Sequence, residues 1–466
     1  MHQAALLLVL GVAASGCDGT LGRRGPEADA GRSSVDALVP PGEDAGAPPD
    51  QGPPRGEDGG SPASDAGPLP MPSFGCDPLS PAAGAILDVT PADDLAQVVR
   101  DAPANTTIRL ADGVYTSDRD GESNRRLVFR QPGVTLRSAS GDAGAVIIDG
   151  EYRTREILYV VASDITIAEL TVTRAVDHLA HVTDEGARVL RPRFYGVRFI
   201  DGGEQFLKVN ASGGDGFVDE GVVECSTFHL TDEGRPNVER CCGGCYTGGI
   251  DAHAARDWGV RQSRFEGIYC AGEGLAEHAI HFWRSSRGTL VENNVILDCA
   301  RGIGFGLDDT TVRRTYADDP YPGVGPLAHI DGVIRNNVVF AEIPFYDTGI
   351  EIQRARRVRV LHNTVVSTEA ATGFFSSIDT RFDSSEAEVA NNLCRRLSVR
   401  NGGTAIESAN LQAVPLGTFV DVNARDFHLA PGATEAIDRG VVVDGAGLDL
   451  DGEARGTRPD IGADER

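Results

Sequence analysis

The feature that most constrains this chain is a short motif that returns at long, regular intervals. Leu290-Val291-Glu292-Asn293-Asn294-Val295 matches Ile334-Arg335-Asn336-Asn337-Val338. Val360-Leu361-His362-Asn363-Thr364 and Val389-Ala390-Asn391-Asn392-Leu393 repeat it twice more. Weaker copies place Glu169, Gly196, Ser226 and Ser263 at the same point. Most successive copies lie 26 to 37 residues apart, with one gap of 43 between Asn294 and Asn337. Each copy reads as a short β-branched strand, a polar turn residue and another short strand. One such coil cannot bury its own apolar face, so stacked coils must share a core. Asparagines stacked at one turn can hydrogen-bond from coil to coil, as in ladders of stacked strands. An antiparallel sandwich would place its turns about 8 to 12 residues apart, much closer than this. The expected fold is all-β, a right-handed parallel β-helix solenoid.

The segments ahead of the repeats differ in composition. Within residues 1–17 the apolar run Ala4 to Ala14 leads into Ala14-Ser15-Gly16-Cys17. That run suits a signal-peptide core and is too short to span a bilayer. Small residues directly before a cysteine resemble a bacterial lipobox. The resemblance implies acylation of Cys17 and an exported protein held to the cell envelope by lipid alone; ordinary cleavage, leaving Cys17 a plain thiol, is the alternative. Residues 18–75 are rich in Ala, Gly, Pro and Asp, and Asp18 to Ser73 has no aromatic residue. Such a segment buries too little apolar surface to offset chain entropy and reads as a disordered linker. The folded domain is expected over 76–466. Near its start Thr90-Pro91-Ala92-Asp93 predicts a helix with Thr90 as N-cap. Leu95, Val98, Val99 and Ala102 fall on one face of it, suited to capping the open end of the stack.

Charge narrows the partners. The formal charge is -26 and the isoelectric point about 4.7, the wrong sign for a nucleic-acid surface. Lys208 is the single lysine, which excludes a polybasic membrane patch. A monomer is expected.

The chain from about Asp88 onward resembles bacterial right-handed β-helix repeat proteins of the pectin-lyase-like superfamily. The most specific residues are Asp426-Phe427-His428-Leu429, Ala436-Ile437-Asp438, Asp449-Leu450-Asp451-Gly452 and Asp460-Ile461-Gly462-Ala463, which look like the C-terminal closing segment of many secreted proteins of this type. The resemblance implies architecture and leaves the reaction open.

Apart from Cys17 there are eight cysteines, and an even number in an exported chain favours disulfides. Cys241-Cys242-Gly243-Gly244-Cys245 is expected in a loop pinned by disulfides, with Cys225 and Cys270 on the flanking coils. A zinc site using Cys242, Cys245 and His253 is the rival.

Strand residues alternate inward and outward, and adjacent coils lie about 4.8 Å apart, so outward residues form columns. Five strands align on their apolar positions. The first is Phe206-Leu207-Lys208-Val209, which turns Phe206 and Lys208 outward. Ile250-Asp251-Ala252-His253 turns out Asp251 and His253. Ile280-His281-Phe282-Trp283-Arg284 turns out His281 and Trp283, with Arg284 at the strand end. Ile303-Gly304-Phe305-Gly306-Leu307-Asp308 turns out Gly304, Gly306 and Asp308, and Ile350-Glu351-Ile352-Gln353 turns out Glu351 and Gln353. Aromatic, polar and bare glycine positions together suit a sugar ring, so Trp283, Gly304, Gly306, Glu351 and Gln353 are the expected substrate-binding residues of a polysaccharide groove. The insertion from Asp309 to Ala328, with Tyr316 and Tyr321, could wall it.

Uronate β-elimination needs a base for the C5 proton and a cation for the carboxylate. Glu204-Gln205-Phe206-Leu207-Lys208 followed by Phe282-Trp283-Arg284 resembles chondroitinase-B-like and alginate lyases. The resemblance implies Lys208 as base, Arg284 as proton donor or carboxylate partner, and calcium on acidic ligands. His253 and His281 are alternative bases. Asp251 and Asp308, with Glu277 and Asp331, are the candidate calcium ligands. Hydrolysis by Asp308 and Glu351 stays open. The Gly-His-Gly segment of polygalacturonases and the Arg-x-Pro-x-x-Arg signature of pectate lyases are absent. The competing reading is a non-catalytic surface adhesin or glycan-binding scaffold.

Overall fold

The computed structural model describes residues 76–81, 84–116, 125–211, 216–239, 244–272, 274–307, 314–371 and 375–466. The signal-peptide core, Cys17, the linker, Cys241, Cys242 and Asp308 lie outside the described residues. The fold is a right-handed parallel β-helix. Each coil gives a strand to three sheets in turn. Among the described residues the first sheet has twelve strands, running from Ala85–Val89 to Thr404–Ser408; the second has ten, from Gly113–Thr116 to Leu393–Cys394. The third also has ten, from Leu127–Phe129 to Leu397–Arg400. No helix among the described residues is long and apolar enough to cross a membrane.

The core is a set of stacked columns. In the first sheet Ile167, Phe194, Val223, Val260, Val291 and Ile334 lie in register on successive coils, all buried. In the second sheet Phe199, Phe228 and Phe265 stack with ring centroids 4.6 Å apart at each step. Burying each such side chain contributes about 1.5–3 kcal/mol.

The repeated motif is the turn between the first and second sheets, and its two asparagines have different tasks. The first takes the left-handed conformation, with φ 55° at Asn293, 54° at Asn336 and 58° at Asn391, which asparagine tolerates better than most side chains. The second builds the ladder. Asn294 Oδ1 accepts the Ser263 backbone N–H, Asn337 Oδ1 that of Asn294, and Asn363 Oδ1 that of Asn337, each at 3.0 Å. Asn392 and then Asn410 extend the column at 2.9 and 3.0 Å. Ser263 Oγ continues it upstream to the N–H of Ser226. Glu169 and Gly196 do not stand in this column, contrary to the alignment of the repeats. They hold the left-handed place one residue earlier, at φ 58° and 61°, where Gly196 N–H bonds to Glu224 O as Cys225 N–H bonds to Arg261 O on the next coil.

The N-terminal helix spans Leu95–Asp101, and its N-cap is Asp94, whose side chain accepts the Gln97 N–H. The expected cap, Thr90, instead sits in a tight turn in which the Asp93 carboxylate accepts both its N–H and its hydroxyl. Leu95, Ala96 and Val99 join the core, and the helix lies against Leu127–Phe129, the end strand of the third sheet. At the other end the closing segment folds back along the outside of the second sheet. Phe419, Phe427, Leu429 and Ile461 cluster with Leu297, Val338, Phe340 and Val366, so those strands are apolar on both faces.

Among the described residues two disulfides are present, Cys76–Cys225 and Cys245–Cys270. Cys270 pins the loop at Cys245 as expected, whereas Cys225 holds the start of the domain. Cys245 is therefore unavailable to zinc, and His253 points into a different cluster; the Cys242–Cys245–His253 reading is overturned. Cys299 and Cys394 are buried thiols.

Candidate functional site

The five aligned strands are neighbours in the third sheet: Gln205–Asn210, Gly248–His253, His278–Trp283, Arg301–Phe305 and Thr348–Gln353. Lys208, Asp251, His281, Gly304 and Glu351 are register partners on successive strands, above the inward column Leu207, Ile250, Ile280, Ile303 and Ile350. One coil separates Lys208 from Arg284. Upstream the same outward column continues through Tyr159 and His181.

Strict alternation fails at one point, and it fails at the same place on each of these five strands. The ladders pass over the residue before the aligned apolar position, skipping Phe206 against Gly249, and likewise Ala279 against Gly302 and Gly349 against Ser377. Two successive residues therefore turn inward. Phe206 is wholly buried in the core, which corrects its expected outward place. A Cβ at Gly249 or Gly302 would meet the next strand's carbonyl oxygen at 2.2 or 2.1 Å, so these two positions admit only glycine. The same irregularity brings His278 and Arg301 to the outer face.

Asp251 is the hub of this face. Its Oδ2 accepts a hydrogen bond from Lys208 Nζ at 2.6 Å and lies 3.1 Å from His253 Nε2. Its Oδ1 accepts from Trp283 Nε1 at 2.6 Å and lies 3.6 Å from His281 Nδ1. Arg284 Nη1 is 3.5 Å from His253 Nδ1 and its guanidinium lies over the Trp283 ring, 4.3 Å from the centroid. His281 stacks on Trp283 with centroids 5.1 Å apart. The hub is nearly sealed, with Lys208 5%, Asp251 4%, His253 7% and His281 1% exposed, while Trp283, Arg284 and Tyr246 are half-buried. Arg284 holds a left-handed backbone, φ 51°, which swings its side chain out of the strand line.

The electrostatics follow from this packing. Burial opposes charge on Asp251, but the Lys208 ammonium and His253 beside it hold its carboxyl well below the usual range. Burial, helped by the Lys208 charge, pushes the His253 imidazole down to about 4, and burial next to His278 takes His281 down to about 4. Both are neutral at pH 7 and keep one lone pair. The His253 nitrogen facing Asp251 carries the proton, so Nδ1 is the acceptor and faces the Arg284 Nη1 donor. Lys208 pulls the Tyr246 phenol down, but burial and the nearby Asp251 and Glu204 carboxylates leave it raised.

The remaining expected residues are placed as follows. Glu351 accepts a hydrogen bond from His278 Nε2 at 2.7 Å. Gln353 is buried on the same strand. The space over Gly304 holds the His278 ring, since a Cβ there would meet it at 2.7 Å, and Gly306, at φ 84°, passes close to Gln353 O. These glycines make room for protein atoms, which corrects their reading as a bare floor for sugar. Asp331 pairs with Arg287 and Arg357, away from the hub. The described part of the insertion packs on the turn that carries Arg284: Tyr316 Oη donates to Ser285 O at 2.8 Å and Arg314 donates to Ala254 O at 2.9 Å. As a calcium site the hub fits badly. Asp251 spends both oxygens on an ammonium and ring N–H donors, and among the described residues no cluster of oxygen ligands surrounds it.

Several residues went unforeseen. His181 lies between Glu156 Oε1 at 2.5 Å and Asn210 Oδ1 at 3.0 Å, and Glu156 also takes Arg126. Glu204, buried beside Asp177, is raised to about 7. Ala180-His181-Val182 has the same apolar–polar–apolar form as Leu207-Lys208-Val209, a signal available in the sequence.

No protein-family model matches the chain, and no curated protein is significantly similar to it. Among solved structures it is similar to the pectate lyase Pel9A, at 16% identity and TM-score 0.56, covering 82% of this chain and 97% of that one. An alginate lyase from Paenibacillus matches at 15% identity and TM-score 0.46 over 70% of this chain and 99% of that one. PfbA, a surface adhesin of Streptococcus pneumoniae, matches at 10% identity and TM-score 0.42 over 68% and 86%. At these identities the likeness to Pel9A concerns the fold.

Proposed function

We propose that this is an exported β-helix protein that binds an extended acidic polysaccharide along the third sheet and cleaves it by β-elimination. The observation that carries the reading is one neutral imidazole between two cations: His253 lies 3.3 Å from Lys208 Nζ and 3.5 Å from Arg284 Nη1. Uronate elimination needs that combination. A carboxylate drawn to half-exposed Arg284 and the Lys208 charge would have its C5–H acidified beside His253 Nδ1. The imidazole takes that proton, the C–H pair becomes the C4–C5 double bond, and the C4–O bond breaks. Tyr246, held protonated, is the donor for the leaving oxygen. Lys208, ion-paired to Asp251, acts as a fixed cation instead of the base, a change from the role that the family resemblance implies. Trp283 offers the apolar edge for a sugar ring. No step runs through calcium. Export is supported by the two disulfides, which persist in oxidising compartments.

The test mixes purified protein with pectate, alginate, chondroitin and dermatan and follows the ultraviolet absorbance of unsaturated uronate ends. Pectate heads the panel because Pel9A is a pectate lyase. The expected result is product from at least one polymer, with His253→Ala and Arg284→Ala each slower by about 10²–10⁴-fold. Activity should hold down to about pH 5 and fall as His253 protonates near 4. Retention of a polymer without any product would overturn cleavage. The near-sealing of Lys208, Asp251 and His253 is the observation that favours that second reading, a glycan-binding scaffold gripping through Trp283 and Arg284.

A further inference from the structure

We propose that Glu277, His278 and His281 form a three-ligand site for a divalent transition metal, zinc foremost. One ligand atom from each lies within 4.8 Å of the other two. His281 Nδ1 is 4.0 Å from Glu277 Oε2. The decisive feature is what the two imidazoles do with their other nitrogens. His281 Nε2 faces the Gly306 carbonyl oxygen at 3.1 Å and must be an N–H donor there. His278 Nε2 donates to the Glu351 carboxylate at 2.7 Å. Each ring is thereby fixed in the tautomer that leaves Nδ1 as a bare lone pair. His278 Nδ1 is buried without any hydrogen-bond partner among the described residues, in a side chain with 0% exposure.

An imidazole that donates its second N–H to a carboxylate or a backbone carbonyl is the usual outer shell of a metal ligand, because it orients the ring and raises its basicity. Both histidines have such a partner. Two nitrogens and a carboxylate oxygen suit zinc and its neighbours and disfavour calcium or magnesium, which take oxygen ligands. Ligand distances of about 2.0–2.2 Å require the three donors to close in by about 1 Å, and half-exposed Glu277 is the one free to move. Three protein ligands leave a fourth position for water or a substrate oxygen. The other cluster of similar composition, His428 with Asp451 and Asp464, lacks this feature: both His428 nitrogens already face carboxylates, Asp426 Oδ1 at 2.5 Å and Asp451 Oδ2 at 2.7 Å. No lone pair is left there for a metal.

The site shares only His281 with the hub and rests on no step of the elimination reading, and its test does not use polysaccharide. Full-length protein stripped with chelator is titrated with Co²⁺, followed by its visible d–d absorption, and the cobalt is then displaced by Zn²⁺. One equivalent per chain is expected. Glu277→Gln should weaken binding at least tenfold with the circular dichroism spectrum unchanged, and Glu351→Gln, which removes the outer carboxylate, by about 10–100-fold. Absence of cobalt bands, together with a melting temperature that Zn²⁺ does not raise, would overturn the site. So would cobalt binding that persists at unchanged affinity in both Glu277→Gln and His281→Gln.

Discussion

Two buried polar columns run along this solenoid, and they use the same stacking for opposite ends. At the turn after the first sheet, Asn294, Asn337, Asn363 and Asn392 repeat one side chain, and each amide satisfies the coil before it. On the third sheet Tyr159, His181, Lys208, Asp251, His281 and Glu351 occupy equivalent places, and no two successive residues are alike. A uniform column closes its own hydrogen bonds and needs no charge. A mixed column must bury ions, which costs several kcal/mol per ion before pairing returns any of it. A fold that could have continued asparagine or valine there holds Lys208 and Asp251 instead, and that expense is what the proposed function would account for.

The largest expected effect tests that expense directly. Lys208→Met leaves Asp251 buried beside neutral groups and should destabilise the protein by about 3–5 kcal/mol in chemical denaturation. Adding Asp251→Leu should recover most of this loss while product formation stays absent. If the double variant is no more stable than the single one, the pair is structural and the contrast between the columns fails. The ladder should respond differently. Asn337→Ala orphans the Asn294 N–H and removes the bonds from its own amide to Val291 O and Asn363 Oδ1, for an expected loss of about 3 kcal/mol with activity per folded molecule unchanged. Asn410→Ala, half-buried at the end of the column, should cost less than about 1 kcal/mol. Equal costs at the two positions would argue against a ladder whose strength depends on burial.

The same contrast explains what could be read from the residues alone. The ladder is legible because it repeats: Asn-Asn between β-branched strands recurs with little change, and its period excludes a sandwich. The register of the five third-sheet strands is also legible, since Leu207, Ile250, Ile280, Ile303 and Ile350 mark one inward column. The site on that register is legible only in part. A period of two places His278 and Arg301 inside and Phe206 outside, whereas the doubled inward position reverses all three. Nothing in the local sequence except the run of small residues Gly249, Ala279, Gly302 and Gly349 signals that irregularity. Tyr246 and Glu204 escaped because they lie at loop ends, where no column predicts direction. The helix start moved from Thr90 to Asp94 because Asp93 closes a turn on Thr90 first.

Glu204 gives a pH test of the mixed column. Burial, together with the Asp177 carboxylate, raises its pKa from the ordinary 4.5 to about 7. The folded protein then binds more protons than the unfolded chain between these values, so this group's contribution is greatest below about 4.5 and is lost as pH rises through 7. Glu204→Gln should flatten that slope and stabilise the protein at pH 8 by about 2–3 kcal/mol, measured as denaturation midpoints against pH. The uniform column contains no titrating group, so Asn337→Ala should leave the slope as it is. A Glu204→Gln variant whose stability runs parallel to that of the wild type between pH 5 and 8 would remove Glu204 from the list of strained carboxylates.

The smallest effect is expected where the chemistry of the mixed column recurs without its burial. In the closing segment His428 sits between Asp426 and Asp451, as His253 sits against Asp251, but its side chain is 42% exposed. Burial is the largest single influence and pulls its pKa down, but the hydrogen bonds to the two carboxylates and the charges of Asp451 and Asp464 together outweigh it and raise the pKa to about 9. A raised histidine pKa stabilises the folded state fully below about 6.5 and ceases to do so as pH rises through 9. Solvent screening limits the contribution to less than about 1 kcal/mol. His428→Gln should therefore shift the denaturation midpoint barely at pH 6 and not at all at pH 10. A loss at pH 6 as large as that of Lys208→Met would mean that exposed and buried ion pairs weigh equally in this fold, and burial could no longer single out the third sheet.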